Sequence, residues 1–413
     1  MNANWRDLFQ TFGRIGLLSF GGPAAQIALM HRVLVDEKKW LTEKDYLSGL
    51  SFCMVLPGPE AMQLATYAGW RLRGVAGGLL AGLLFVLPGA FLILALASAY
   101  VAFGDLPWVR NAFLGVQAAV VVIVIEALLK VSKRALKKRE SYALAALSFI
   151  GIYALGLPFP AIVLAAGLWG YVRAQPSSDE VGTRLPPLGG TLRTAMVWGL
   201  IWWLPLLALP ALGADFLWDI ALFFSQLAVV TFGGAYAVLA WMAQWAVETQ
   251  GWLTTAQMID ALGLAETTPG PLILVTEFVA FLAGWGAGGW GLAISAALVS
   301  LWATFVPCFL WIFAGAPYLG WIAARPRLQG ALSAIIAAVV GVILNLSLWF
   351  ALHVLFSRVT ASRIGPLPDL SSLDPISLAL TLIAAALLLW WKRGLLETLA
   401  VLAVLGGIVR GIL

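Results

Sequence analysis

Charged residues are scarce in this chain, since Asp, Glu, Lys and Arg make up 11% of its 413 residues while hydrophobic residues make up 62%. A soluble domain carries about 25% charged residues, because polar groups have to cover its surface. The composition, with a mean hydropathy of +0.93, therefore excludes an ordinary soluble protein. Lipid must face much of the chain. The net charge of +5 is small and lies between the apolar runs, so it does not indicate a nucleic-acid partner.

Cysteine and histidine are almost absent, with two residues of each kind. Cys53 and Cys308 lie in apolar sequence without a second cysteine nearby, a pattern typical of structural thiols rather than of a disulfide or a cluster. Haem and metal sites usually recruit several His, Cys or carboxylate ligands, and His31 and His353 are too few to supply them. The sequence therefore predicts no cofactor, no metal site and no enzymatic activity.

Apolar runs, in contrast, are long and numerous. Spanning helices need about 18–20 apolar residues, and these continuous runs lack the alternation of lipid-facing strands. The sequence predicts an all-α polytopic membrane protein whose N-terminus is retained, since MNANWRDLFQ carries no signal-peptide pattern. The runs are Gly74–Tyr100, Ala112–Leu129, Ala287–Gly315, Ala331–Ala351 and Ile376–Trp391.

An internal repeat organises the chain. Residues 20–59 and 232–271 are identical at 14 of 40 positions without a gap, so the chain consists of two homologous halves. We expect an N-terminal membrane repeat at 1–173, a polar linker at 174–193 and a C-terminal membrane repeat at 194–413. The motifs that recur at an offset of 212 residues are Phe20-Gly21-Gly22 with Phe232-Gly233-Gly234, Trp40-Leu41-Thr42 with Trp252-Leu253-Thr254, and Pro57-Gly58-Pro59 with Pro269-Gly270-Pro271.

The corresponding loops of the two halves differ in charge. Five basic residues flank the first-half motifs, whereas the counterpart loops, 243–251 and 282–286, contain no Lys or Arg. By the positive-inside rule the first-half loops are cytoplasmic and their counterparts lie outside. This pattern predicts inverted-topology repeats in a cell inner membrane, with a cytoplasmic N-terminus and a periplasmic C-terminus. A parallel duplication whose loops drifted in charge is the alternative. The five basic residues are Arg32, Lys38, Lys39, Arg71 and Arg73.

Each half contains two helix-breaking motifs inside apolar sequence, an FGG and a PGP. The segments beside the first PGP, Asp45–Leu56 and Glu60–Trp70, are 11–12 residues long. Helices of this length reach about 16–18 Å, which is about half of the hydrocarbon thickness. We therefore expect half-helices that form re-entrant hairpins, with tips near the midplane where protein or water covers the irregular backbone.

Such tips are suited to binding an anion. A half-helix that begins inside the membrane directs unpaired N–H groups and about half a positive charge toward its tip, proline costs nothing at its first position, and glycine lets a ligand approach the backbone. The alternative is that these residues serve only helix packing and kinks. The predicted substrate-binding residues are Ser19, Gly21, Gly22, Pro23, Gln26, Pro57, Gly58, Pro59, Gln63, Tyr67, Thr231, Gly233, Gly234, Thr267, Thr268, Pro269, Gly270 and Pro271.

Four carboxylates accompany the apolar segments. Glu126 precedes Lys130 by one helical turn, and we expect the two side chains to pair at the membrane interface. Glu60 directly follows the first PGP, while Glu266 and Glu277 flank the second. Carboxylates inside a membrane are costly and usually serve a function, so Glu60, Glu266 and Glu277 are candidates for proton coupling.

The motifs resemble the chromate ion transporter family in its long, two-domain form. The resemblance rests on FGGP at Phe20–Pro23, WLT at Trp40–Thr42, the run Val55–Gly78, LFVLPGA at Leu84–Ala90 and TTPGP at Thr267–Pro271, and it covers nearly the whole chain. It implies a secondary transporter that exports chromate, a tetrahedral dianion, across the inner membrane and confers chromate resistance. At Gln26 this sequence departs from relatives that carry histidine.

The sequence is also compatible with other functions. A sulfate or other oxyanion transporter, or an anion channel, would use the same site, and substrate competition and saturation of the flux distinguish them from an exporter. An intramembrane enzyme would need a nucleophile–base pair or metal ligands, and the sequence has neither an HExxH motif nor a lysine within an apolar run. A structural or sensory protein would not need paired tips. The expected partners are chromate or sulfate and the lipid bilayer, and the oligomeric state, a homodimer included, is open.

Overall fold

The structure is a computed structural model that describes residues 3–174, 188–319, 321, 325–362 and 365–412. Most of the predicted linker at 174–193 lies outside the described residues, because only its ends at 174 and 188–193 are included. Helices account for nearly all of the described chain, which confirms the prediction of an all-α fold.

Seven α-helices lie in the described part of the first half. Two of them, α6 and α7, are short helices of 15 residues each. The seven helices are α1 (Trp5–Leu18), α2 (Gly22–His31), α3 (Glu43–Cys53), α4 (Glu60–Phe103), α5 (Pro107–Ala135), α6 (Arg139–Tyr153) and α7 (Phe159–Arg173).

The described part of the second half contains eight further helices and one small β-hairpin. Strands β1 (Val359–Ser362) and β2 (Gly365–Pro368) pair antiparallel, with Val359 opposite Pro368. The helices are α8 (Leu188–Ala211), α9 (Asp215–Val230), α10 (Ala235–Ala243), α11 (Thr255–Glu266), α12 (Val275–Gly315), α13 (Pro326–Leu355), α14 (Pro375–Ala385) and α15 (Leu395–Ile412).

The described chain contains five segments that are long and apolar enough to cross a membrane. Shorter apolar helices accompany them near the end of each half. Together with the composition, these segments identify a polytopic membrane protein, as predicted from the apolar runs. The five segments are Glu60–Phe103, Pro107–Ala135, Leu188–Ala211, Leu272–Tyr318 and Pro326–Leu355.

Local structure repeats at the 212-residue offset. Thr42 caps α3 by accepting a hydrogen bond from the Asp45 backbone N–H, and Thr254 caps α11 in the same way through Gln257. A π-helical turn follows α2 at Arg32–Glu37, and another follows α10 at Gln244–Thr249. The repeated sequence thus specifies the same helix starts and the same distortions twice.

Two of the long helices fold back on themselves. In α4 the chain reverses at Gly74, where φ is 62° and ψ is −156°, so Gly69 lies against the Gly77 backbone. In α12 it reverses at Gly289, with φ of 74° and ψ of −159°. Glycine is required at both positions because other residues rarely adopt this conformation. Each long helix is therefore a short arm followed by a longer one.

The chain divides into two compact units, and each unit takes segments from both halves of the sequence. Unit 1 comprises Met1–Ala95, Tyr171–Ala235 and Thr268–Gly330. In it, α12 packs against α8 and α9, and the Trp302 indole donates a hydrogen bond to the Trp202 carbonyl at 3.1 Å. Trp198 stacks on Phe309 in the same region.

Unit 2 comprises Leu96–Gly170, Tyr236–Thr267 and Ala331–Leu413. Its core forms where α5 packs against α14, α15 and α11. Gly115 of α5 lies directly against the Leu402 carbonyl of α15. Small residues at such contacts let helix backbones approach closely, as membrane helices do when they pack.

Candidate functional site

Both FGG motifs break helices in unit 1. The first lies between α1 and α2, where Gly21 and Gly22 have φ of 84° and 77°. The second follows α9, where Gly233 and Gly234 have φ of 75° and 104°. Because only glycine adopts these angles readily, the glycine pairs set the direction in which the following segment begins.

A residue with a buried hydroxyl group directly follows the helix before each of these breaks. The Ser19 Oγ donates to the Ile15 carbonyl at 2.6 Å, and the Thr231 Oγ1 donates to the Leu227 carbonyl at 2.6 Å. Both side chains are almost inaccessible to solvent. Their protons are therefore committed to the preceding helix, and an incoming ligand would have to compete for them.

The first PGP motif is the tip of a helical hairpin formed by α3 and the short arm of α4. At the far end of this hairpin Arg71 donates to the Asp45 carboxylate at 3.0 Å, and midway along it Gly49 lies under the Tyr67 ring. These contacts make the two helices antiparallel, with the tip at 54–59. Tyr67 itself is buried inside the hairpin, next to Phe52.

The tips of the two halves bind each other reciprocally within unit 1. The Gly58 N–H donates to the Thr231 carbonyl at 2.8 Å, and the Gly270 N–H donates to the Ser19 carbonyl at 2.9 Å. Since 270 − 58 and 231 − 19 both equal 212, each bond is the repeat equivalent of the other. The N–H group of the glycine in each PGP is therefore already used by the opposite half.

Gln26 makes the two tip contacts unequal. Its Nε2 donates to the Ser19 carbonyl at 3.1 Å and to the Gly270 carbonyl at 2.7 Å. The equivalent position in the second half, 26 + 212, is Val238, which has no side-chain donor. Gln63 donates to the Pro57 carbonyl at 2.7 Å within its own tip. The Oε1 atoms of both glutamines are buried and have no hydrogen-bond partner among the described residues.

The FGG and PGP glycines differ in the space before them. A methyl group added at Gly22 or Gly234 would meet no atom within 4 Å. At Gly58 it would come within 2.7 Å of the Gln63 Nε2, and at Gly270 within 3.3 Å of the Phe85 carbonyl. The PGP glycines are thus closely packed, whereas Gly22 and Gly234 of the FGG motifs face open space.

The remaining predicted site residues divide between the units. Pro23, Pro57, Pro59, Pro269 and Pro271 lie at the tips in unit 1, as does the buried Thr268. Thr267 is the last residue of its segment of unit 2, and its hydroxyl donates to the Leu264 carbonyl at 2.7 Å. All predicted substrate-binding residues other than Thr267 therefore lie in unit 1.

The four carboxylates have different surroundings. Glu277, in the first turn of α12, is 1% exposed, and its Oε2 has no partner among the described residues. Glu60 is half-buried at the start of α4. Glu266 belongs to unit 2, where the Tyr236 hydroxyl donates to it at 2.5 Å. Glu126 forms the predicted ion pair with Lys130 at 2.7 Å.

One buried carboxylate, Asp260 on α11, is not among the residues predicted from the sequence. It is 4% exposed, and it accepts hydrogen bonds from the Tyr100 hydroxyl and the Gln117 amide. The available signal was its position in the apolar stretch between Met258 and Ala265, six residues before Glu266. Proximity to the polar start of α11 obscured that signal.

A comparison with protein families matches both halves separately. A family model described as chromate transporter matches residues 6–171 and again residues 218–412. The starts of the two matches differ by 218 − 6 = 212 residues, which is the offset of the motifs. The same kind of domain is therefore present twice in the chain.

The chain is similar to three chromate transport proteins over most of their length. The chain is 33% identical to a chromate transport protein of Cupriavidus metallidurans, over 94% of this chain and 88% of that protein. It is 30% identical to a chromate transport protein of Pseudomonas aeruginosa, over 97% and 91% of the two chains. It is 32% identical to a probable chromate transport protein of Synechococcus elongatus, over 82% of each. No solved structure matches the chain.

Proposed function

Because the chain belongs to the chromate transporter family, we propose that it is a secondary transporter that exports chromate across the cell inner membrane and so confers chromate resistance. Three relatives of 30–33% identity over most of the chain carry chromate transport in their names. A chromate transporter moves a tetrahedral anion with four acceptor oxygens, so its site has to supply hydrogen-bond donors and positive potential.

The reciprocal bonds between the tips are the observation that carries the proposal. Gly58 with Thr231 and Gly270 with Ser19 bring the irregular backbone of both halves together in unit 1. Beside these bonds, Gly22 and Gly234 face open space at the starts of new segments. The start of a helix attracts anions through its unpaired N–H groups and its dipole. We therefore assign the anion to the FGG tips, with the PGP tips as their support.

The proposed membrane topology is inverted between the halves. Within unit 1 the Arg73 side chain donates to the Ala3 carbonyl at 2.7 Å, and Arg71 pairs with Asp45. These contacts support a common, cytoplasmic side for the N-terminus and the basic loops of the first half. The uncharged counterpart loops of the second half then lie outside, and the C-terminus is periplasmic.

The membrane potential is sufficient to drive export. Moving one charge across the membrane is worth about 2.3 kcal/mol per 100 mV, so a dianion leaving a negative interior gains roughly twice that. Carboxylates that exchange protons would add a pH gradient to this driving force. The candidates predicted from the sequence are Glu60 and Glu277 in unit 1 and Glu266 in unit 2.

Chromate flux into proteoliposomes tests the function. We expect saturable uptake that accumulates chromate on the positive side of an imposed potential, together with exchange of internal for external labelled chromate. Sulfate transport without chromate transport would assign the chain to another oxyanion, and chromate flux that neither saturates nor exchanges would identify a channel. Protein-free liposomes are the control.

A further inference from the structure

Asp260 is a buried carboxylate that the proposed anion site does not use. It lies in unit 2, on α11, and is 4% exposed. Its Oδ2 accepts a hydrogen bond from the Tyr100 hydroxyl at 2.7 Å, and its Oδ1 accepts one from the Gln117 Nε2 at 2.8 Å. Tyr100 is 160 residues away in the chain and Gln117 is 143 residues away, so the fold assembles this cluster from three separate helices.

Among the described residues, no cation pairs with Asp260. Its two polar partners, Tyr100 and Gln117, are neutral. A buried carboxylate without a cation is costly when ionised, and an asparagine would occupy the same space at lower cost. Ionisable residues kept inside a membrane protein usually mark the path of an ion or a proton.

The cluster can hold a proton in two arrangements. When Asp260 is ionised, the Tyr100 hydroxyl donates to its Oδ2, as the distances describe. When Asp260 is protonated, its O–H can donate to the tyrosine oxygen, because a phenol hydroxyl is both a donor and an acceptor. The Gln117 amide donates to Oδ1 in either case. Proton binding therefore needs rotation of hydroxyl groups rather than repacking of the helices.

A second tyrosine–carboxylate pair lies on the same helix. The Tyr236 hydroxyl donates to Glu266, the last residue of α11, about 9 Å further along the helix axis than Asp260. The charged groups acting on Glu266 are Lys130 and Glu126, which form an ion pair on α5. In the Asp260 cluster, Asp105 acts electrostatically on Tyr100. Both carboxylates of α11 therefore accept a hydrogen bond from a tyrosine hydroxyl.

We propose that Asp260 is the proton-binding site of this transporter, and that it carries one proton in the direction opposite to each chromate. The proposal rests on the proposed chromate transport. Its Oδ2 takes a proton from water on the outer side, and the new O–H bond breaks when the proton is released to water on the cytoplasmic side. Tyr100 and Gln117 position the carboxylate. No group is oxidised or reduced, and chromate binds in unit 1 rather than at Asp260.

The accumulation ratio of chromate at zero membrane potential tests this assignment. If one proton exchanges for each chromate, the wild-type protein accumulates chromate in the more acidic compartment by about tenfold for each pH unit. The experiment uses proteoliposomes clamped with potassium and valinomycin, at pH values where chromate is fully deprotonated. A pH dye in the lumen reports whether protons leave as chromate enters.

Asp260→Asn is the decisive variant, because asparagine keeps the shape and cannot bind a proton. We expect it to remain monodisperse, to exchange labelled chromate, and to lose the tenfold response to pH. Glu140→Gln, at an exposed carboxylate of α6 in the same unit, is the control and should keep that response. An Asp260→Asn protein that still accumulates chromate tenfold per pH unit would overturn the proposal, as would one that loses labelled exchange while remaining monodisperse.

The wild-type protein provides a test that does not depend on the folding of any variant. If chromate accumulation does not depend on the pH gradient and the dye reports no proton movement, the proposed proton site is wrong. Chromate transport itself is not contradicted by that result. Absence of any chromate flux, by contrast, overturns the proposed function itself. The two failures are therefore distinguishable in one experiment.

Discussion

Unit 1 and unit 2 differ in how their buried polar atoms are satisfied. In the described part of the chain, nine buried side-chain oxygen and nitrogen atoms have no hydrogen-bond partner, and all nine belong to residues of unit 1. The buried carboxylates of unit 2, Asp260 and Glu266, each accept a hydrogen bond from a tyrosine. Buried polar groups without partners are rare and call for an explanation. Unit 1 retains capacity for a polar ligand or water, whereas unit 2 satisfies its polar groups internally.

The glycines of the two units are more alike. Gly16 in unit 1 lies directly against the Leu84 carbonyl, and Gly115 in unit 2 lies as closely against a carbonyl of α15. Both units also have glycines with positive φ and open space around them, such as Gly22 in unit 1 and Gly156 in unit 2. The unsatisfied buried polar atoms, rather than the glycines, therefore distinguish unit 1, for which we propose the anion site, from unit 2.

The largest expected effect comes from filling a packing glycine of unit 2. Gly115→Ala places a methyl group against the Leu402 carbonyl, so α5 and α15 have to separate. Overpacking of this kind costs about 1–3 kcal/mol, and we expect a lower unfolding temperature and less folded protein in detergent. Gly199→Ala in α8, where a methyl group meets nothing within 4 Å, is the control and should not destabilise. Equal stability of both variants would contradict the packing described for unit 2.

Filling the open glycines of unit 1 should abolish transport while the protein still folds. Gly22→Leu and Gly234→Leu each place a side chain in the space assigned to the anion. Both positions have positive φ, so leucine also adds strain of about 1–2 kcal/mol. Chromate flux of monodisperse protein in proteoliposomes is the measurement.

Two further variants separate blockage from strain at these positions. Gly22→Asn tolerates a positive φ and should still lose most of the flux, because it fills the same space. Gly13→Leu introduces a leucine in α1, where a side chain also meets no neighbouring atom, and this variant should keep the chromate flux. Full chromate flux in both Gly22 variants would indicate that this glycine only kinks the chain and does not face the anion.

The asymmetry between the two tip contacts should have a smaller effect. Gln26→Leu removes the donor to the Gly270 carbonyl and makes the first half resemble the second, which has Val238. Leaving a buried acceptor unpaired costs about 1–3 kcal/mol, so we expect chromate flux to fall about tenfold. Gln10→Leu, an exposed glutamine of α1, is the control. Unchanged flux in Gln26→Leu would mean that the extra bond is irrelevant to the site.

The smallest expected effect concerns Glu277. An ionised carboxylate in unit 1 would repel the anion by about 1 kcal/mol at 4 Å in a watery site, or about fivefold in affinity. Glu277→Gln removes this charge and should lower the KM for chromate by up to about fivefold. A KM that is unchanged in Glu277→Gln would place Glu277 away from the anion.

The repeat made several local features predictable from sequence alone. The offset of 212 residues located both FGG breaks, both PGP tips and the matching caps at Thr42 and Thr254, because turn and cap chemistry depends on nearby residues. The all-α membrane fold followed from the apolar runs. These features needed no knowledge of which segments lie next to each other.

Features that depend on distant contacts were not predictable. The bond from Gly58 to Thr231 satisfies an N–H that looks free in sequence, and the partners of Asp260 come from more than 140 residues away. The compact units also combine segments of both halves, which a division of the sequence at the linker does not indicate. The inverted topology and the roles of the site residues stay predictions.

In the proposed transporter, matching tips of the two halves reach one anion site from opposite faces of the membrane. Single cysteines at Lys38 and Gln250, which are 212 residues apart, test it directly in cells with an impermeant thiol reagent. The native Cys53 and Cys308 are buried and can be replaced by serine for this purpose. The account predicts that the cysteine at 250 reacts in intact cells and that the cysteine at 38 reacts only after the membrane is opened. Labelling of both from the same side would contradict it.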